Sequence, residues 1–330
     1  MNTEIEKRLP FLSISCITYN HAPYIRQCIE GFLMQKTDFS FEVIIHDDAS
    51  TDGTEEIIRE YESKYPDIIK PLYEKENQYV KGRIGSLVFN FPRAKGKYIA
   101  LCEGDDYWTD PLKLQKQVEL MEKYPEASMC VALNKQVNTT TGKETIDDNY
   151  FGKNFPLLYF NDLNKYFHTS TYLIRKTTLD YLTENYSNLF IGDTSLRYLL
   201  INEGPFVVLN EVESVYRITG TGIWTSLSNH SKDVTHYEIY NKFRIHHVAE
   251  KKTFYARHEL NFLHSILIHR ISMGDYNNLS SLFQQYIYLI RKYDPLFYFK
   301  LLYSKSRKKL IRLLNKMMVL FKNVHTKINS

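Results

Sequence analysis

The fifteen residues Lys97 to Pro111 constrain the fold more than any other stretch. Tyr98 to Cys102 is a short apolar run bounded by Gly96 and Gly104, the pattern of a buried strand. It stops abruptly in three acids, Glu103, Asp105 and Asp106. Asp110 then has the chemistry of a helix N-cap, Pro111 suits the first helical position, and Leu112 to Met121 has helical periodicity. The acids therefore stand where a strand ends and a helix begins, the edge of an open α/β sheet where ligands bind. Three anions within four residues repel one another unless a cation neutralises them. A hard divalent ion such as Mg2+ or Mn2+, with oxygen ligands, meets that need. The competing reading is an acidic surface turn that only caps a helix.

The same grammar recurs on either side. Phe11 to Ile17 reads as a strand ending in Thr18-Tyr19-Asn20-His21, with a helix from Pro23 whose apolar face is Ile25, Cys28, Ile29, Phe32 and Leu33. Phe41 to Ile45 reads as a second strand, ending in His46-Asp47-Asp48-Ala49-Ser50-Thr51-Asp52-Gly53-Thr54 ahead of another helix. A third strand is expected at Ile68 to Tyr73 and a helix over Ile84 to Ala94. This alternation predicts an α/β fold with a mostly parallel central sheet covered by helices on both faces. Three polar strand ends, at Thr18-Tyr19-Asn20, Asp47-Asp48 and Asp105-Asp106, then line one edge. Neither a dinucleotide G-x-G-x-x-G nor a Walker phosphate loop is present.

Further on, strands are expected at Ala127 to Leu133, His168 to Ile174 and Val207 to Arg217, with a loop or hairpin over Asn134 to Tyr150. Asp193 follows Gly192 at the start of a helical run, as a cap or as a working carboxylate. Thr219 to Trp224 is glycine-rich and suits a loop that closes over a ligand. From about His230 the pattern turns helical, which divides the chain into 1–230 and a C-terminal helical region, 231–330.

Composition narrows the class. Of 330 residues, 43% are hydrophobic, enough for a substantial core. Cys16, Cys28, Cys102 and Cys130 lack metal-type spacing and read as reduced core thiols of a cytoplasmic protein. No secretory leader and no run of 18 apolar residues is evident. The net charge of +4 hides an asymmetry: from Arg291 onward there are eleven Lys/Arg and one acid, so that tail carries +10 and the rest −6. Within it, Tyr298 to Lys322 alternates apolar and basic residues at helical spacing. The tail is expected to attach to an anionic membrane surface, on the inner face of the plasma membrane, or else to pack as a helix with a solvated basic face. No nucleic-acid recognition motif accompanies the charge.

Thr18-Tyr19-Asn20, Asp47 to Thr54, Gly104-Asp105-Asp106 and Gly192-Asp193, in that order and spacing, resemble the family 2 glycosyltransferases, above all the bacterial members that build capsular or O-antigen polysaccharides. The resemblance covers about residues 10 to 225. It implies a Rossmann-like GT-A fold and a metal-dependent, inverting transfer of one sugar from a nucleotide-sugar, UDP-linked, to a glycan or lipid-linked acceptor. By the same resemblance Asp48 meets the uracil, Asp105 lies near the ribose, Asp106 ligates Mn2+ or Mg2+, and Asp193 is the base. Position 103 holds Glu and position 104 Gly where a strict D-x-D needs an Asp, so Glu103 either substitutes or merely lies nearby. The Q-x-x-R-W motif of processive synthases is missing, which favours a single transfer. Thr18, Tyr19 and Asn20 belong to the donor site, Tyr19 serving either the uracil or strand-end packing. Lys81, Arg83 and Arg93 are candidates for the phosphates against a default of solvation. Trp108 and Trp224 either shape the pocket or, for Trp108, fill the core. His168 reads as a strand residue. The alternatives are a nucleotidyltransferase and a non-catalytic carbohydrate- or partner-binding module.

Overall fold

The structure is a computed structural model that describes residues 9–146, 156–160, 167–220, 222–246, 249–275 and 278–293. It forms two compact units, Met1–Ser226 and Leu227–Ser330. In the first, ten strands among the described residues make one sheet. They are β1 (Leu12–Thr18), β2 (Phe41–Asp47), β3 (Ile69–Tyr73), β4 (Tyr98–Leu101), β5 (Tyr107–Trp108), β6 (Met129–Asn138), β7 (Glu144–Ile146), β8 (Leu157–Leu158), β9 (Leu173–Arg175) and β10 (Phe206–Ile218). The order is β3-β2-β1-β4-β9-β6-β10-β5, with β7 on β6 and β8 on β10.

The expected GT-A-type α/β architecture with a helical C-terminal region is present. The sheet is parallel from β3 to β4 and mixed beyond, where β9 runs antiparallel to both β4 and β6. The parallel half follows from its connections. Each strand is followed by helical chain that returns over the sheet, namely α1 (Ala22–Leu33), α2 (Thr54–Lys64) and a helical stretch ending in α3 (Phe91–Arg93).

Side-chain alternation then sorts the two faces. On β1, Leu12, Ile14 and Cys16 join Ile25, Cys28, Ile29 and Phe32 of α1, and Leu114, Val118 and Met121 of α4 (Lys113–Lys123), in one buried cluster. Each such aliphatic or aromatic side chain, fully buried, contributes about 1.5–3 kcal/mol. Ser13 and Ser15 face the other way, and the buried Asn90 donates to Ser15 Oγ (3.1 Å) and to Cys16 O (2.9 Å). Trp108 is core: it meets Phe32 edge-on at 4.8 Å and donates to Ser170 O (2.9 Å).

Two local expectations shift, and between the loop and the hairpin considered from Asn134 onward the hairpin is found. Ser86–Asn90 is a π-helical turn running into α3 rather than one regular helix. Pro92 supplies no N–H there, and such turns cluster at functional sites. Thr169–Thr171 is a 3-10 turn, because the His168 ring accepts from Ser170 N, and strand pairing starts only at Leu173. Asn134 to Asn138 extends β6, which forms a hairpin with β7.

In the second unit, α8 (Asn229–His246), α9 (Ala249–Met273) and α10 (Leu279–Tyr293) follow the short α7 (Ile223–Ser226) of the first. Ala256, Leu260, Leu263 and Leu267 of α9 bury against Leu279, Tyr286, Leu289 and Ile290 of α10. The basic tail from Tyr298 to Lys322, and Asp294-Pro295, lie outside the described residues, as does the Trp224 side chain.

Candidate active site

The C-terminal ends of β1, β2 and β4 bring the three polar strand ends to one edge. The first two are bonded into a single unit. Asp48 N donates to Thr18 O (3.0 Å), Asn20 N to Ser50 Oγ (2.8 Å), Thr51 N to Asn20 Oδ1 (2.8 Å), His21 N to Thr54 Oγ1 (2.8 Å) and Ala22 N to Asp52 Oδ2 (3.0 Å). Asn20 (φ 54°) and Ala49 (φ 63°) hold left-handed conformations within it; for alanine that is a strained state, kept only where surroundings impose it. Tyr19 stands 43% exposed at the end of β1, so its ring is not spent on packing. Thr18 is buried, and its Oγ1 has no hydrogen-bond partner.

Asp48 is nearly buried and already engaged. Its Oδ1 accepts from Gln78 N (2.6 Å) and its Oδ2 from Tyr79 N (3.1 Å), which fastens the turn at Tyr79–Lys81. A carboxylate has about four lone-pair sites, so capacity for a further donor remains. The basic candidates are placed less favourably. Lys81 is exposed and paired with Glu76. Arg83 donates to Gln78 Oε1 (3.2 Å). Arg93 donates to Lys70 O (3.0 Å) and Pro71 O (3.2 Å), tying the helical stretch to β3.

The acidic turn after β4 is packed tightly. A Cβ at Gly104 would lie 2.6 Å from Thr18 Oγ1 and 2.8 Å from Thr18 Cβ, closer than real contacts, so this position takes no aspartate. Asp106 is fully buried. Its Oδ1 accepts from Arg217 N (2.8 Å), whereas its Oδ2 has no hydrogen-bond partner and lies 3.6 Å from His168 Nδ1. His168 is a satisfied buried residue: burial pushes it down to about 4, it is neutral at pH 7, and it stacks on Tyr216 at 4.1 Å. Burial, then the Asp105, Cys102 and Glu103 charges, hold the Asp106 carboxyl well above its ordinary value. Asp105 Oδ1 is likewise without a partner, and its Oδ2 lies 3.8 Å from His21 Nε2. Burial outweighs the nearby acids in lowering the His21 pKa.

Sequence reasoning missed Arg217. Besides its N–H to Asp106, its Nη1 donates to Asp105 O (2.6 Å) and its Nη2 bonds Gln27 Oε1. Its guanidinium lies over Tyr107 (4.2 Å) and Tyr24 (5.2 Å). One side chain thus fixes the acidic turn to β10 and α1. The available signal was a charge closing the apolar run of β10.

Asp193 opens α6 (Asp193–Glu203), which follows α5 (Lys176–Tyr186). Capping there is the work of Ser195, whose Oγ accepts from Ile191 N (2.8 Å) and Gly192 N (3.1 Å) and donates to Gly192 O (2.8 Å). Asp193 accepts from Thr194 N (2.7 Å). Gly192 has φ 154°, a backbone conformation that favours glycine over any residue with a side chain. Asp193 and Glu103 line the same cavity of about 130 Å³. Burial, then Asp105 and Asp193, push Glu103 up to about 8. The structure therefore brings together Thr18, Glu103, Asp105, Asp106 and Asp193, with Asp48, Tyr19 and Asn20 along the same sheet edge.

Comparison with known proteins bears on the family and the fold. The family model for glycosyl transferase family 2 matches residues 13–181. The chain belongs to that family. An uncharacterised protein of Mycobacterium tuberculosis H37Rv is 36% identical over 220 residues, 65% of this chain and 61% of that protein. The chain thus spans less than two thirds of that relative's length. An Escherichia coli protein, the UDP-Glc:alpha-D-GlcNAc-diphosphoundecaprenol beta-1,3-glucosyltransferase WfaP, is 36% identical over 34% of this chain and 42% of its own. Among solved structures, Staphylococcus aureus TarS 1–349 in complex with UDP-GlcNAc superposes with a TM-score of 0.54 at 17% identity, covering 83% of this chain and 91% of that one. That likeness establishes the fold.

Proposed function

We propose that the protein is a metal-dependent, inverting glycosyltransferase that moves one sugar from a nucleotide-sugar, UDP-linked, to a glycan or lipid-linked glycan in surface polysaccharide synthesis. The observation that carries this reading is Asp193 facing the same cavity as Glu103, beside Asp105 and Asp106. An inverting transfer needs a carboxylate to take the acceptor hydroxyl's proton, here Asp193. It also needs something opposite to receive the departing diphosphate. The orphaned oxygens of Asp105 and Asp106 suit a hard cation, and we assign Mn2+ or Mg2+ to that pair. Among the described residues no three His, Cys, Asp or Glu side chains converge as a ready metal site. Mg2+ generally binds through one or two carboxylates together with substrate phosphates rather than in an all-protein cage. When bound, the ion neutralises charge on the leaving diphosphate.

This chain's residues do the rest. Asp48 and the exposed Tyr19 receive the base. Thr18 and Asn20 shape the strand ends, and Arg217 keeps the acidic turn in register. The relatives' names support a nucleotide-sugar donor: TarS is seen with UDP-GlcNAc and WfaP is named for UDP-Glc. All these residues lie within 1–230, which we take as the catalytic domain. Titration calorimetry with UDP, with and without Mn2+, tests the reading. Metal-enhanced UDP binding and turnover of a UDP-sugar are expected; a protein blind to UDP and every other nucleotide would refute it.

The acceptor class bears on the tail. Among the described residues no helix is long and apolar enough to cross a membrane. We propose that the interleaved apolar and basic residues from Tyr298 to Lys322 hold the protein at an anionic membrane surface, about 1 kcal/mol per basic residue. Sedimentation with anionic vesicles, released by salt and lost on deleting 305–330, is the expected result. Indifference to such vesicles would end the idea.

A further inference from the structure

The cavity shared by Glu103 and Asp193 is mostly apolar. Ile84, Leu87, Phe91, Leu101, Phe190 and Leu196 line it, with Ser15, Ser86 and Thr169 as the neutral polar contributors. Its volume of about 130 Å³ would hold several waters. On the transferase reading above, which this inference deepens, its position identifies its contents. In an inverting displacement the base and the leaving group stand on opposite sides of the reacting carbon. The cavity is bounded by Asp193 and by Glu103, two residues before Asp105. The transferred sugar must lie between those landmarks.

A fully hydroxylated hexose is a poor match for such walls. Its hydroxyls can reach the carboxylates, but those turned toward Leu87, Phe190 and Leu196 would lose water and gain no partner. A methyl group in the same place gains from leaving water. We propose that the donor sugar carries a methyl-bearing substituent, as a 6-deoxy or an acetamido sugar does, and that Leu87, Phe190 and Leu196 select it.

Matched pairs of nucleotide-sugars test this on the full chain with Mn2+: UDP-N-acetylglucosamine against UDP-glucose, and dTDP-6-deoxy-D-glucose against dTDP-glucose, with UDP and dTDP alone as references. One pair should show the methyl-bearing sugar binding about 10–100-fold tighter, the range a hydrophobic pocket gives for one such group; which pair does so identifies the substituent. Leu87→Asn should bring that ratio toward one. Leu87 is only half-buried, so this change tests the wall with little risk to folding. Equal binding within both pairs, or an unchanged ratio in Leu87→Asn, overturns the inference while leaving the transferase reading in place. Failure of all six compounds to bind overturns this inference together with the UDP-linked donor proposed above.

Discussion

Two buried acidic clusters in this chain are built on opposite principles. In the helical unit, Glu259 on α9 is fully buried, yet Arg244 Nε (2.5 Å), Arg244 Nη2 (3.4 Å) and Gln285 Nε2 (2.7 Å) all donate to it. Burial pushes its pKa up, and Arg244 and Gln285 pull it back. At the sheet edge, Asp105 and Asp106 each keep one oxygen without a partner, and burial, then its acidic neighbours, lift Glu103. A buried carboxylate left short of donors is costly to the folded chain. The first cluster matches its acceptors with donors; the second leaves acceptors unmatched, at the place proposed above for the cation. That contrast separates structural charge from working charge better than burial alone.

The largest expected effect tests the working side. Asp193→Asn should slow transfer by ~10²–10⁴-fold, the usual loss for a missing general base, while the melting temperature stays put. The second half matters as much as the first, because Ser195 caps the helix. A sharp fall in melting temperature would make Asp193 structural after all.

Next comes the self-sufficient cluster. Arg244→Met leaves Glu259 buried without its cation and should cost about 3–5 kcal/mol, read by urea unfolding. Donor binding measured well below the transition should not change. A loss below 1 kcal/mol would erase the distinction drawn between the two clusters.

The smallest effect carries a sign. Glu103 sits at about 8 in the folded protein, above its ordinary 4.5. Between those values the folded chain holds a proton that the unfolded chain releases, so this group's contribution to stability falls as pH rises from about 4.5 to 8. In metal-free protein, Glu103→Gln removes that dependence. Relative to wild type, its melting temperature should rise as the pH goes from 5 to 8.5. A difference flat across that range would show that Glu103 does not titrate there.

What the sequence disclosed follows the same division. The strand ends were legible because each is local: a buried strand must stop, and a polar residue at its stop faces the edge. Asp193 was legible as the first residue of a periodic helix. Arg217 was not, because its contact with Asp106 spans 111 positions and no local pattern announces it. The role of Gly104 was hidden for a related reason, since what excludes a side chain there is Thr18 on another strand. Lys81, Arg83 and Arg93 looked alike as cations; only partners in space show Arg93 tied to β3 and Lys81 out in solvent beside Glu76. The antiparallel β9 was hidden as well, because a three-residue strand carries no direction in its composition.

The loop after β1 and the loop after β2 are sewn to one another by five hydrogen bonds, with Asn20 and Ala49 in left-handed conformations inside the seam. Anyone recombining this chain with a relative inherits a rule from that seam. A crossover placed between α1 and β2 separates Asn20 from Thr51 and Ala22 from Asp52, and the hybrid must rebuild the contacts from unmatched halves. A crossover before β1 or after α2 moves both loops together. Libraries shuffled at those outer points should keep folded, nucleotide-competent members far more often than libraries cut in the middle.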